Sequence, residues 1–202
     1  MKKVDVFLFD LGKVLVELDG PPIKSEWLAS PISDAESWRR WAVSPYVKAF
    51  ESGEISADAF SAGIHQEQQL IISPAAFKEA FTAWPKGLYE GVEALLVSLK
   101  AHYTLAFYSN TSELHVPRLV GEMGLGKYFD YTFASCEIGH FKPALEGYRF
   151  IIESLNVPAQ RIVFIDDNKH NVEAARSVGM HAEQAEGFLA VAAAVARWRT
   201  GS

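Results

Sequence analysis

The sequence holds a single cysteine, Cys136, among 202 residues. That excludes an intramolecular disulfide and a thiolate metal site, favours a reducing compartment, and leaves a small buried residue as the expected role of Cys136. Runs of Lys and Arg are missing too. With a formal charge of -6, the chain lacks the clustered cations that hold a nucleic-acid backbone, so no nucleic-acid partner is expected. The apolar run between Asp5 and Asp10 is too short for a signal peptide or a membrane span. A cytoplasmic location without membrane contact follows as the default expectation. There is no internal repeat and no low-complexity linker. What is present is an ordinary globular composition, 49% hydrophobic and 22% charged. It suffices for one sizeable core, or a core with a small insertion, in a monomer or homodimer.

The pattern of the chain divides it into two parts. Val6-Phe7-Leu8-Phe9 reads as a buried parallel strand entered directly from Met1-Lys2-Lys3-Val4-Asp5. Asp19-Gly20-Pro21-Pro22 then breaks regular structure. From there to Pro85 the spacing is helical, with N-caps at Ser33 and Ser73, a stop at Gly53 and a restart at Ser56. Its aromatic residues, among them Trp38, Trp41, Phe60 and Trp84, are expected mostly in a core. From Tyr89 onward strands and helices alternate: a helix to His102, a strand over 103–108, a helix over 113–123, a strand over 131–134, a helix over 144–155, a strand over 161–165, a helix over 172–178, a short strand near His181 and a tail helix over 188–198. This predicts an α/β fold with a doubly wound parallel sheet over 1–16 and 86–202, and a helical bundle over 17–85 inserted after the first strand.

Three strand ends carry polar residues: Asp10, Ser109 with Asn110, and Asp166 with Asp167. A parallel sheet brings all its carboxyl ends to one edge, where ligands bind. Asp10 alone could be a turn or helix cap, and Asp166-Asp167 a capping pair before Asn168. Adjacent carboxylates repel unless a cation holds them, however, and a hard divalent ion such as Mg2+ takes oxygen ligands and a substrate phosphate together. Lys142-Pro143 adds a positive charge near the same edge, or else a solvated lysine. A carboxylate beside a metal and a lysine is a competent nucleophile toward phosphorus.

In order, Phe9-Asp10-Leu11-Gly12-Lys13-Val14-Leu15, Ser109-Asn110-Thr111, Lys142-Pro143 and Phe164-Ile165-Asp166-Asp167-Asn168 resemble the four motifs of the haloacid dehalogenase (HAD) superfamily of hydrolases. The Asp-Leu-Gly form of the first, with Glu51-x-Gly53-x-Ile55-Ser56 in the helical part, is similar to the small sugar-phosphate phosphatases that act on glucose 1-phosphate. The resemblance implies a HAD-like Rossmannoid core with a helical cap, and a Mg2+-dependent phosphatase of a small phosphorylated metabolite. It implies Asp10 as a nucleophile that becomes an aspartyl-phosphate, Ser109 and Asn110 on the phosphoryl oxygens, and Lys142 neutralising charge. Asp167, Asp10 and the Gly12 carbonyl would bind the metal, with Asp166 a ligand directly or through water. Glu51 and Gly53 would face the substrate from the cap.

One position departs from that pattern. Most phosphatases of the superfamily carry a second aspartate two residues after the nucleophile, as general acid and base; here the residue is Gly12. Glu17, Asp19 or His140 could supply the proton instead, or substrates could be limited to good leaving groups such as an anomeric phosphate. Two other readings accommodate Gly12: a 2-haloacid dehalogenase, whose halide leaves without a proton, and a non-catalytic binding protein of the same fold.

Overall fold

Strict alternation along three buried strands sets the architecture of the chain, seen in a computed structural model that describes residues 4–199. The expected entry of residues 1–3 into the first strand, and the ends of the two proposed segments at 1 and 202, lie outside the described residues. In chain order the elements are β1 (Val6–Phe9), β2 (Val16–Leu18), α1 (Asp34–Val43), α2 (Pro45–Glu51), α3 (Ala57–Gln68), α4 (Pro74–Thr82), β3 (Pro85–Leu88), α5 (Val92–Lys100) and β4 (Thr104–Ser109). There follow β5 (Tyr131–Ala134), α6 (Ser135–Ile138), α7 (Leu145–Leu155), β6 (Ile162–Asp166), α8 (Lys169–Ser177), β7 (His181–Gln184) and α9 (Phe188–Trp198).

Five strands form one parallel sheet in the order β5-β4-β1-β6-β7. Successive side chains of a strand point to opposite faces. Val6, Leu8, Ala106, Tyr108, Ile162 and Phe164 accordingly join one core with α7 and α8. Phe7, Phe9, Leu105, Phe107, Val163 and Ile165 join the other, with α5 and α9. Both faces are covered, which is why these strands read as continuous apolar runs rather than as an alternating pattern. The chain has the expected α/β fold.

A third core gathers α1–α4 with Ile23, Leu28 and Leu70 of their connecting segments. Phe60, fully buried, stacks on Phe50 at 4.3 Å between ring centroids and lies 5.1 Å from Phe81 and 5.8 Å from Phe77. Serine hydroxyls at 33, 44, 56 and 73 accept the backbone N–H of the residue three further on and so start the four helices. A two-stranded antiparallel ribbon, β2 with β3, joins this layer to the sheet. No strand is expected from the sequence at either position; Pro85 and Gly87 are poor strand formers. The helix expected over 113–123 is shorter: a wide helical segment spans Pro117–Glu122, since Pro117 has no N–H to continue the turns made at Ser112. Cys136 is only half-buried, and burial pushes its thiol up to about 11, so it is not a reactive thiolate.

Truncating the centre of the helical layer, Phe60→Ala, is expected to cost about 3–5 kcal/mol. Urea unfolding followed by circular dichroism measures this. A cost below about 1 kcal/mol would contradict a packed core at that position.

Candidate functional site

The same alternation builds the site. Asp10 follows Phe9 and continues the Val6/Leu8 parity, while Asp166 continues that of Ile162 and Phe164, so both carboxylates face one side of the sheet. Register puts them level: Phe9 lies opposite Ile165, and the Asp10 N–H donates to the Ile165 carbonyl at 2.9 Å. Adjacent strands run about 4.8 Å apart, close enough for one cation to serve both acids. That cation is Lys142. Its ammonium donates to Asp10 Oδ1 at 2.8 Å and Asp166 Oδ2 at 2.7 Å, and lies 5.4 Å from the ring centroids of both Tyr108 and Phe164. Lys142 is 2% exposed, so the solvated-lysine reading is wrong.

Two asparagines fix the arrangement. Asn110 Nδ2 donates to the Lys142 carbonyl at 3.0 Å, and Asn110 Oδ1 accepts the Lys142 N–H at 2.8 Å. Asn171, which the sequence reading did not single out, donates to both oxygens of Asp166 at 3.1 Å. Its signal was the spacing Asp166-Asp167-Asn168-x-x-Asn171: with Asn168 as helix cap, Asn171 falls back over the strand end. Asp166 Oδ1 also accepts the Asn168 N–H at 2.8 Å. Both oxygens of Asp166 are thus taken, and the residue is wholly buried. In this arrangement it anchors the lysine, while its carboxylate also belongs to the cluster of acids that could hold a cation.

A cavity of about 590 Å³ opens between the sheet edge and α1 with α2. Its floor holds Asp10, Gly12, Ser109, Asn110, Lys142 and Asp167. Trp38, Trp41 and Trp84 line it from the helical side, with Lys48 and Glu51 of α2. Lys13 Nζ sits 4.3 Å over the Trp38 ring and bridges floor and roof. Gly53 is elsewhere. It lies beside α6, where a Cβ would stand 2.4 Å from the Cys136 carbonyl oxygen, so its glycine is explained by close approach and a φ of 77° rather than by substrate. The three residues considered as substitute acids are also absent from the cavity lining. Glu17 pairs with Lys86, Asp19 pairs with Lys24, and the His140 ring packs on Phe150.

Charge in the cavity is unevenly balanced. Burial disfavours the Lys142 ammonium, but Asp10 and Asp166 more than offset this and hold its pKa above the usual lysine range. Burial, with the Asp166 charge, raises Asp10 while Lys142 opposes the shift. Asp167 is raised to about 7 by burial and by Asp10 and Asp166, and its carboxyl has no hydrogen-bond or ion-pair partner among the described residues. Oxygens of Asp10, Asp166 and Asp167 lie within 4.8 Å of one another. A set of hard oxygen donors with one carboxylate lacking a counter-charge suits a divalent cation. The Ser109 hydroxyl, on a residue 4% exposed, likewise has no partner among the described residues.

Residues 4–179 match the haloacid dehalogenase-like hydrolase family. The chain belongs to that family. Among its relatives, a D-ribitol-5-phosphate phosphatase of Bacteroides thetaiotaomicron is 25% identical over 190 residues, covering 89% of this chain and 90% of the relative. The drimenol cyclase drtB of Aspergillus calidoustus is 28% identical over 184 residues, 88% of this chain but only 33% of that protein, so the chain spans about a third of it. A HAD family enzyme of Bacteroides thetaiotaomicron solved with magnesium and inorganic phosphate superimposes with a TM-score of 0.74 at 22% identity, covering 91% of this chain and 95% of that one. The L-2-haloacid dehalogenase of Xanthobacter autotrophicus gives 0.65 at 18%, covering 90% and 77%. Both structures show the HAD fold. Among the described residues no helix is long and apolar enough to cross a membrane.

The Asp167 carboxyl ionises near 3.8 in an unfolded chain and near 7 in this fold. It therefore costs stability progressively as pH rises through that window, with the full cost present above it. In EDTA, Asp167→Asn is expected to melt higher than wild type at pH 8 by at least about 2–4 °C, the shift that 1 kcal/mol gives at this size. The gain should shrink toward pH 5. A pH-independent difference in differential scanning calorimetry would contradict the assignment.

Proposed function

We propose that this HAD-like hydrolase is a Mg2+-dependent phosphatase acting on a small phosphorylated metabolite, a sugar or polyol phosphate, through an aspartyl-phosphate on Asp10. The observation that carries the reading is the pairing on one cavity floor of Asp10, held by Lys142, with the unpartnered carboxyl of Asp167. Relatives named as a D-ribitol-5-phosphate phosphatase and, in Thermotoga maritima, a phosphorylated carbohydrates phosphatase support the substrate class.

Asp10 and Asp167, with the Gly12 carbonyl on the same floor, are the residues that would hold the metal. When bound, it supplies positive charge against the phosphoryl oxygens and the two carboxylates. The chain's own groups do the rest. Lys142 fixes one oxygen of Asp10 and opposes the rise in its pKa that burial causes, leaving the other oxygen clear of side-chain partners for attack on phosphorus. As the aspartyl–phosphorus bond forms, the bond from phosphorus to the leaving oxygen breaks. Water then attacks the same phosphorus, the Asp10–phosphorus bond breaks, and phosphate departs. Ser109 offers its hydroxyl to a phosphoryl oxygen, while Asn110 acts through the main chain of Lys142. Such transfer depends on positioning and charge stabilisation, which this floor provides. The helical layer over it serves as a cap, and its tryptophans form a rigid wall for the organic part of the substrate.

A dehalogenase shares the nucleophile and the absent second acid, but it has no use for Asp167. A phosphate-release screen over sugar, polyol and other metabolite phosphates, run beside chloride release from 2-chloropropionate, tests the reading. Phosphate release that needs Mg2+, stops with EDTA and falls to background in Asp10→Ala is expected. Chloride release unaffected by EDTA would overturn it.

A further inference from the structure

Glu51 is a buried acid that the mechanism above leaves unused. It ends α2, is 7% exposed, and lines the cavity opposite the floor that carries Asp10. Its carboxyl makes no hydrogen bond or ion pair among the described residues. Such a group costs stability unless it serves a purpose, because a carboxyl taken from water without partners forfeits its solvation.

Its main chain, by contrast, is firmly held. The Ser135 hydroxyl, fully buried at the start of α6, donates to the Glu51 carbonyl and accepts the Thr111 N–H at 2.9 Å. Thr111 follows Ser109 and Asn110 directly, so one hydroxyl ties Glu51 to the strand end that lines the cavity floor. Two residues on, the left-handed Gly53 packs against the Cys136 carbonyl, where any side chain would collide. These contacts fix the helix end of a residue that lines the cavity.

Chemistry at the floor has a gap of matching kind. An alcohol leaving group needs a proton as its bond to phosphorus breaks, and Gly12 has no side chain to give one. Lys142 is committed to two carboxylates, and Glu17, Asp19 and His140 are outside the cavity lining. We propose that Glu51 is the general acid and base of this site, reaching the leaving oxygen from the cap side. Its proton passes to the leaving oxygen as Asp10 attacks. The resulting carboxylate then takes a proton from the water that attacks the aspartyl-phosphate, restoring both groups. Burial first, and the Asp10 charge second, push its carboxyl up to about 8, so it carries a proton at neutral pH. Asp10 and Lys142 act on it with opposite sign, and Lys48, one turn earlier on α2, is the other charged residue of the cap lining.

The proposal rests on the phosphatase reading, and rapid-mix kinetics with two substrates separates the two. Glu51→Gln is expected to lower kcat on an alkyl phosphate by about 10²–10⁴-fold, with no burst. On 4-nitrophenyl phosphate, whose leaving group needs no proton, it should give a stoichiometric burst of 4-nitrophenolate followed by slow turnover, because the second step still lacks its base. Glu51→Asp should recover part of the alkyl rate. The burst reports a folded enzyme with a working nucleophile, so a merely structural role would not produce it. A Glu51→Gln rate within about threefold of wild type on the alkyl phosphate would overturn the assignment and leave the phosphatase standing. Equal loss on both substrates without a burst, in all variants, would also overturn it. Wild type that releases no phosphate from either would sink the phosphatase reading and this assignment with it.

Discussion

Three charged groups are buried side by side at the end of β1 and β6, and the site depends on the way Lys142 balances Asp10 and Asp166. A buried ion pair seldom adds stability over apolar residues of the same volume, whereas losing one partner costs several kcal/mol. The cluster is therefore not accounted for by folding energetics, but it is accounted for by what it does to Asp10. One oxygen is pinned, the lysine charge opposes the upward shift that burial imposes on the carboxyl, and the other oxygen remains available. Each neighbouring feature serves that geometry: Asn110 holds the lysine's main chain, Asn171 holds Asp166, and the Tyr108 and Phe164 rings wall the ammonium off from water.

Charge then decides what the cavity can accept. The floor carries more carboxylate than Lys142 alone compensates, with the excess on Asp167, and Asp10, Asp166 and Asp167 lie close enough together to suit a divalent cation. A cation held there, together with Lys142, would give the net-acidic chain a local anion site despite its -6 charge. The helical layer adds an apolar wall of tryptophans and one acid, and the fully buried Ser135 couples that layer to the strand end.

Much of this was legible in the residues. Asp10, Asp166 and Asp167 end apolar runs, and a parallel sheet leaves such ends nowhere to go but one edge. Lys142 stood out only by its order after the third strand of the alternating half, since nothing local tells a buried lysine from a solvated one. What escaped the reading were matters of partnership across the fold. Asn110, expected on the phosphate, lines the cavity floor and also clamps the main chain of Lys142, 32 residues away. Gly53 was expected at the substrate and instead permits a close approach to Cys136. The β2–β3 ribbon hid behind Pro85 and Gly87, residues that argue against a strand in isolation and are tolerated here in a short ribbon. Asn171 and Ser135 carry no sequence signal beyond helix spacing, because their roles exist only once distant segments meet.

Asp10 as a nucleophile toward phosphorus is the central claim, and oxygen-isotope labelling addresses it most directly. A single turnover with excess enzyme in ¹⁸O water should place the heavy oxygen in released phosphate and none in the Asp10 peptide, since water attacks the phosphorus of an aspartyl-phosphate. Heavy oxygen in the Asp10 carboxylate would mean attack at its carbonyl carbon, as when an ester to a carbon substrate is hydrolysed, and would contradict the account.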